Sequence, residues 1–564
     1  MKLLSPKPLP LLASLLAGVL ATGCRVNRPP NDHAATQTLY DSMPSDPGTF
    51  NPILITDTAS GAAVGDLFEG LVRDNPKTNF IDPDLAQSWE VADSGKTIAF
   101  HLRHDVHWSD GVQFTSRDVL FTMRTIFDPH IPNSNVFALT VDDKPITAEA
   151  PDDYTVVMHL PRIFAPLLYA IGFPIIPEHI LGKLSPAEFN RTWGVDTPPR
   201  KLISLGAYEM EQYVPGQLID FRRYPGYWMH EANGAPLPRL HGQVLMIVPD
   251  RNTQYLRFAA GMTDVYSPRP EEVATLRERA AQLNITVKEI GVDTGSLFFA
   301  FNRNPNHYQS DPRLKWFTDI NFMRALAHAV DKQGMINLCF RGLAIPAVSD
   351  ISPENKIFHN PNLKDYEYDL KLAARMLDEA GYKMLRPGVR GDPRGHPLEF
   401  NLSTPTGDES VRGEMCVIFK QDLEALGIKV NYRPQEFISL VKKLEKSFDW
   451  DCVLIGFTGG VEPNNGANFL RSSGNLHLWN PMQSKPATAW EAEIDRLLDQ
   501  GTQVMDPHAR ASYYWRIQQI LHDQLPFIET VRSRRFIAYR NTLQNYDPTV
   551  WGQYQPELIQ FRTD

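Results

Sequence analysis

Thr97-Ile98-Ala99-Phe100-His101-Leu102-Arg103 alternates apolar and polar side chains with period two, the pattern of a half-buried strand. Asp110-Gly111 then supplies a turn. In Thr115-Ser116-Arg117-Asp118 a Thr followed three residues later by an acid predicts a capped helix running to about Phe127. Strand, turn and capped helix recur as a theme along the chain and predict mixed α/β lobes. Phe322, Leu326 and Ala329 recur at helical spacing within 321–331. A second helix is predicted from Tyr368 to Ala380, stopped by Gly381. Two more, Ala489 to Asp499 and Ala509 to Asp523, are separated by an Asp506-Pro507 break. The 45 prolines are spread through loops, and neither an internal repeat nor a low-complexity tract occurs.

At 564 residues the chain exceeds one hydrophobic core, which predicts two or three lobes with a cleft available between them. Apolar residues at 42% and charged residues at 22% exclude a disordered chain. The formal charge is −10, and −12 once a leader carrying Lys2 and Lys7 but no acid is removed, which argues against a nucleic-acid partner. That leader, residues 1–23, has the two lysines, an apolar run from Leu9 to Leu20 and small residues before Cys24, the pattern of an export signal. Beyond it no stretch approaches the roughly 20 apolar residues needed to cross a bilayer. Residues 24–37 are polar and aperiodic and read as a tether, with the fold expected from about Thr38. Cys339, Cys416 and Cys452 are an odd set, so one disulfide plus a thiol, or three buried thiols, are both open. His101, His104 and His107 do not share one face of a strand, so no metal is expected there. HExxH, GxSxG, Walker A and GxGxxG patterns are absent. No enzyme, cofactor or metal is expected, and a secreted hydrolase is the remote alternative.

An ordered set of short motifs carries a family resemblance. They are Thr49-Phe50-Asn51-Pro52; Asp82-Pro83-Asp84-Leu85-Ala86-Gln87-Ser88-Trp89-Glu90; Phe100-His101-Leu102-Arg103 leading to Trp108-Ser109-Asp110-Gly111 and Asp118-Val119; and Phe299-Ala300-Phe301-Asn302. Later come Arg324-Ala325-Leu326-Ala327-His328-Ala329-Val330-Asp331, Asp451-Cys452-Val453-Leu454-Ile455-Gly456-Phe457 and Ile494-Asp495-Arg496-Leu497. Together they resemble the family 5 extracellular solute-binding proteins, the peptide and nickel receptors of ABC importers. The resemblance implies a periplasmic-binding-protein type II-like α/β fold, bilobal with an additional inserted subdomain (cluster C). Lobe I would span 38–291 with the insert at about 60–200, lobe II 292–526, and 527–564 would return to lobe I, with a hinge of two crossing segments. It implies capture of a peptide or similar solute between the lobes, delivery to an ABC permease, and a monomer at the periplasmic or extracytoplasmic face of the cell envelope. Leu20-Ala21-Thr22-Gly23-Cys24 resembles a bacterial lipobox, which implies attachment to membrane lipid through Cys24; a plain secretory leader is the alternative.

By position within the resemblance, the ligand-binding candidates are Thr56, Asp57 and Thr58 in the first cross-lobe loop, Phe299 and Asn302 at the hinge, and Thr404 and Thr406 in the loop 403–407. Phe457, Thr458, Gly459, Gly460 and Glu462 complete the set. Gly460 stands where peptide-binding relatives place an Asp for the ligand's amino terminus, and Glu462 corresponds to a structural acid before Pro463. Dipeptide-binding members carry an Arg for the ligand carboxylate in the loop matching 403–407; here Arg412, one helix turn later, is the available cation. His477 and Trp479 read equally as solvent-side aromatics or a stacking platform. These departures leave open a longer or blocked peptide, an oligosaccharide or another non-peptide solute.

Overall fold

A computed structural model of the protein describes residues 32–406 and 409–562. The leader, Cys24 and the start of the tether lie outside the described residues. In strand Thr97–Leu102 the inward residues Ile98, Phe100 and Leu102 are fully buried, which is the predicted alternation. The strand pairs antiparallel with Ala86–Ala92 on one side and Thr155–His159 on the other. Helix Ser116–Ile126 follows, and the Thr115 N–H donates to Asp118 Oδ2 at 3.0 Å as the capping pattern predicts. Asp118 also accepts from the Trp108 indole at 3.3 Å and from the Glu178 N–H at 2.9 Å, so one buried carboxylate ties helix, turn and loop together.

The core of this subdomain is continuous with a second four-stranded sheet, ordered Thr38–Met43, Gly242–Ile247, Leu218–Arg223, Tyr208–Val214. The folded body includes residues before Thr38, earlier than expected. Helix Asp32–Thr36 precedes the first strand, because His33 meets the buried Asp264 at 2.9 Å and stacks on Tyr40 with ring centroids 4.0 Å apart. Residues 32–36 are therefore part of the folded body, not of a tether.

The second lobe is built on a five-stranded sheet ordered Lys429–Gln435, Glu399–Pro405, Cys452–Phe457, Ser296–Phe301, Phe527–Glu529. Its strand Ser296–Phe301, next to the edge strand Phe527–Glu529, is buried on both faces. Phe299 and Phe301 join the core beneath helices Ile320–Ala327, Leu370–Glu379 and Glu409–Ala425, while Phe298 and Ala300 join the core beneath Ala489–Gly501 and Pro507–Gln524. Helix Leu370–Glu379 ends before Gly381, whose φ of +89° is the left-handed conformation expected there. Cys339, Cys416 and Cys452 are three buried free thiols, which resolves the alternative left by the sequence.

The chain passes between the two sheet systems on adjacent strands. Ile285–Val292 runs antiparallel to Val531–Arg540, with Ile285 opposite Arg540 and Val292 opposite Arg534. A bulge between Glu289 and Gly291 bends this ribbon; Gly291 has φ +124°, and a Cβ there would stand 2.5 Å from Glu354 Oε1. Away from the ribbon the lobes touch again, where the Ala165 N–H donates to Thr502 O at 2.7 Å and Arg162 Nη1 donates to Thr502 Oγ1 at 2.8 Å.

Candidate functional site: an arginine-lined cleft between the lobes

A cavity of about 590 Å³ opens beside the paired crossing strands. The first lobe contributes Arg251 and the segment 267–271; the crossing strands contribute Asp293 and 531–536; the second lobe contributes Phe340, Arg412 and Gly456-Phe457-Thr458. Six arginines, Arg251, Arg269, Arg412, Arg532, Arg534 and Arg535, line it against two acids, Glu271 and Asp293.

The arginines differ in how they are held. Arg269 is gripped by Glu272, Nη2 to Oε1 at 2.5 Å, at the start of helix Pro270–Glu278. Arg251 donates to Ser267 O at 2.7 Å and to Gln254 Oε1 at 3.0 Å. Arg534 pairs with Glu289 at 2.5 Å, and Arg535 lies 3.6 Å from Asp293. Arg532 is 2% exposed and donates to five carbonyls: Asp293, Thr294 and Gly295 through Nη1, Ser349 and Asp350 through Nη2. Burial lowers the pKa of its guanidinium below the ordinary value. Arg412 is half-buried in the first turn of helix Glu409–Ala425, and among the described residues it has no hydrogen-bond or ion-pair partner. The positive end of the helix dipole lies at the same place. A half-buried guanidinium beside a helix N-terminus attracts a carboxylate or another planar anion.

Of the residues singled out from the sequence, Phe457, Thr458 and Arg412 line this cavity. Gly459 follows the lining residue Thr458; a Cβ there would stand 2.0 Å from Thr294 O, so only glycine lets the chain beyond strand Cys452–Phe457 approach the loop before Ser296–Phe301. Gly460 is exposed, and a Cβ on it would have its nearest neighbour at 3.5 Å. Thr56, Asp57 and Thr58 are exposed outside the cavity; Asp57 caps helix Thr58–Val64 by accepting from the Ser60 N–H at 2.8 Å and the Ser60 hydroxyl at 2.6 Å, which holds its carboxyl below the usual range. Thr406 is exposed beyond the strand end, with its N–H on Gln435 O at 2.7 Å.

Four candidates instead belong to the interior. Phe299 stacks on Phe419 at 4.2 Å in the second lobe's core. Asn302 donates to Phe448 O at 2.9 Å and Trp450 O at 2.8 Å, and Thr404 donates to Leu454 O at 3.1 Å. Glu462 forms a buried pair with Arg510 at 2.5 Å, each side chain 1% exposed, in the structural role that its place before Pro463 implied. His477 and Trp479 are fully buried rather than solvent-side or in a cleft, and both reach Glu491 at 3.1 Å; burial pushes the Glu491 carboxyl up, but hydrogen bonds from His477, Gln483 and Thr488 outweigh it and hold it at about 2. The sequence reading missed Arg251, Arg269, Arg532, Arg534 and Arg535. The signal available was Arg532-Ser533-Arg534-Arg535, a basic cluster just after the expected second crossing.

Two α/β lobes joined by neighbouring strands, with a charged cleft beside the join, define a clamp-like solute-binding protein. The profile of the bacterial extracellular solute-binding proteins, family 5 Middle, matches residues 81–476, and the chain belongs to that family of receptors. Similar proteins include the dipeptide-binding protein of Escherichia coli K12, 25% identical over 546 residues covering 93% of this chain and 94% of that one. Another is heme-binding protein A of Haemophilus influenzae, 25% identical over 523 residues covering 89% and 88%. Among solved structures, the oligopeptide-binding protein AppA of Bacillus subtilis in complex with a nonapeptide has the same fold, with a TM-score of 0.70 at 21% identity over 93% of this chain and 99% of that one.

Proposed function

We propose that this protein is a lipid-anchored receptor that captures acidic peptides in the interlobe cleft and passes them to an ABC permease. The observation that carries the reading is the excess of arginine over acid in the cleft, with Arg412 unpartnered among the described residues. A peptide always offers a terminal carboxylate, and acidic side chains add more. Main-chain groups at Ser296 and Gly456 to Thr458, where two strands end at the cavity, suit an extended ligand hydrogen-bonded like an added strand. The crossing ribbon serves as the hinge. Ligand contacts made only in the closed arrangement then convert binding into a shape that the permease reads, and the ligand leaves unchanged. Acylation of Cys24 would hold the receptor on the membrane surface.

A non-peptide acid is the second reading. Its support is the same arginine set beside the apolar rings of Phe340, Phe457 and Phe536, together with a relative named for heme. A neutral oligosaccharide fits less well, because it would desolvate guanidinium groups without returning charge. Native mass spectrometry of protein purified from its own host separates the readings. A co-purifying mixture of peptides rich in Asp and Glu supports the first, a single acidic small molecule the second, and a ligand without acidic groups contradicts both.

A further inference from the structure

A second cavity, of about 370 Å³, lies within the first lobe and shares no lining residue with the interlobe cleft. Its charge is opposite. Five carboxylates, Asp66, Glu69, Asp74, Asp84 and Glu557, line it with one guanidinium, Arg73, and a second, Arg103, lies outside the lining within electrostatic reach of Asp84. Arg73 Nη1 reaches Glu557 Oε1 at 2.9 Å, and Glu69 accepts from the Trp228 indole at 2.8 Å and from the Tyr227 hydroxyl.

Two of the acids are left incomplete. Asp84 is 4% exposed and Glu557 6%, and both Asp84 Oδ1 and Glu557 Oε2 are buried without a hydrogen-bond partner among the described residues. A buried carboxylate oxygen with no donor is left without the hydrogen bonds that water would have given it, which favours a ligand that supplies them. Two such oxygens beside three further acids make a site short of positive charge. Burial, and then repulsion from neighbouring acids, raises Asp84 well above the usual carboxylate range; burial likewise pushes Glu69 up to about 7.

We propose that this cavity binds a small organic cation, of the alkyl-diamine class, with Asp84 and Glu557 as its anchors. An organic ion fits better than a metal, because among the described residues no group of three or more His, Cys, Asp or Glu side chains could hold a metal ion. The volume is in the range of small-molecule sites. Tyr169 and Tyr208 supply ring surface for an alkyl chain or an ammonium face. The site does not depend on the nature of the cleft ligand, so either assignment stands or falls alone.

Isothermal titration of the purified chain with 1,4-diaminobutane tests it, run in two buffers of different ionisation enthalpy. The expected result is one diamine per chain with net release of protons, since a bound cation drives the raised carboxylates to ionise. Affinity should fall at least tenfold in Asp84→Asn and in Glu557→Gln and stay unchanged in Arg412→Ala. If a variant does not fold, the wild type decides alone: binding should weaken at least tenfold between pH 8 and pH 5 as the lining acids protonate. No heat at millimolar diamine, an equal response to 1,4-butanediol, no loss of affinity at pH 5, or binding abolished by Arg412→Ala would each overturn the proposal.

Discussion

The two cavities of this protein differ in sign and in the parts of the chain that build them. The interlobe cleft is lined by arginines drawn from both lobes and from the crossing strands, whereas the acidic cavity lies within the first lobe. The residue types matter as much as the signs. Arginine stays charged even when burial lowers its pKa, so the cleft presents fixed charge at any physiological pH. Carboxylates answer burial by taking up protons, so the acidic cavity holds charge that a ligand or a change in pH can alter. In a chain with net charge −10, six arginines line the space where the lobes meet, which is the place to meet an anion.

The comparison can be broken first at Arg532. Its guanidinium satisfies carbonyls on both sides of the crossing ribbon, and truncation would leave them buried and unpaired. Arg532→Ala should destabilise the protein by about 3 kcal/mol or more, read by urea denaturation. An unchanged midpoint would mean that this arginine is not part of the framework.

Arg412 should behave oppositely. Arg412→Ala should leave stability within about 0.5 kcal/mol and weaken acidic peptides by about 10- to 150-fold, the loss of about 1.5–3 kcal/mol for a hydrogen-bonded charge. Titration calorimetry on the two variants separates the arginine that holds the hinge from the one that holds the ligand.

In the acidic cavity the test is pH. Glu69 has a folded pKa of about 7 against an ordinary 4.5, so the folded state binds the extra proton between these values. Its share of stability is therefore present below about pH 4.5 and lost as pH rises to about 7. Asp41, raised to about 7, and Glu529, raised to about 8, act in the same direction. Denaturation of Glu69→Gln at pH 5 and pH 8 should show a smaller decline than the wild type; an equal decline would remove Glu69 from the account.

The smallest expected effect is at Gly460, where a side chain has room. Gly460→Asp should raise affinity for peptides with a free amino terminus over acetylated ones by a few-fold, about 1 kcal/mol for a partly exposed charge pair. An unchanged ratio would place the ligand's amino end elsewhere.

How much of this was legible in the sequence follows from how local the physics is. The strand Thr97–Leu102 and the helix capped at Thr115 are written in alternation and in a cap three residues long, and both were read correctly. Phe299 and Asn302 show the limit. Four consecutive residues from Phe298 to Phe301 are buried, so the strand carries no alternation to say which side faces a cleft. Helix Asp32–Thr36 was missed because it depends on Asp264, more than two hundred residues away. His477 and Trp479 read equally as solvent-side aromatics or a stacking platform from their polar neighbours, yet Glu491 on a later helix draws them inside. The arginines of the cleft come from separate segments, and only folding reveals that they face one space.

Small-angle X-ray scattering of the protein with and without a saturating acidic peptide, binding being verified by calorimetry on the same sample, tests the receptor account most directly. The account predicts that the particle contracts on binding and that Arg412→Ala abolishes the contraction at the same peptide concentration. An unchanged scattering profile from protein that calorimetry shows to be saturated would contradict it.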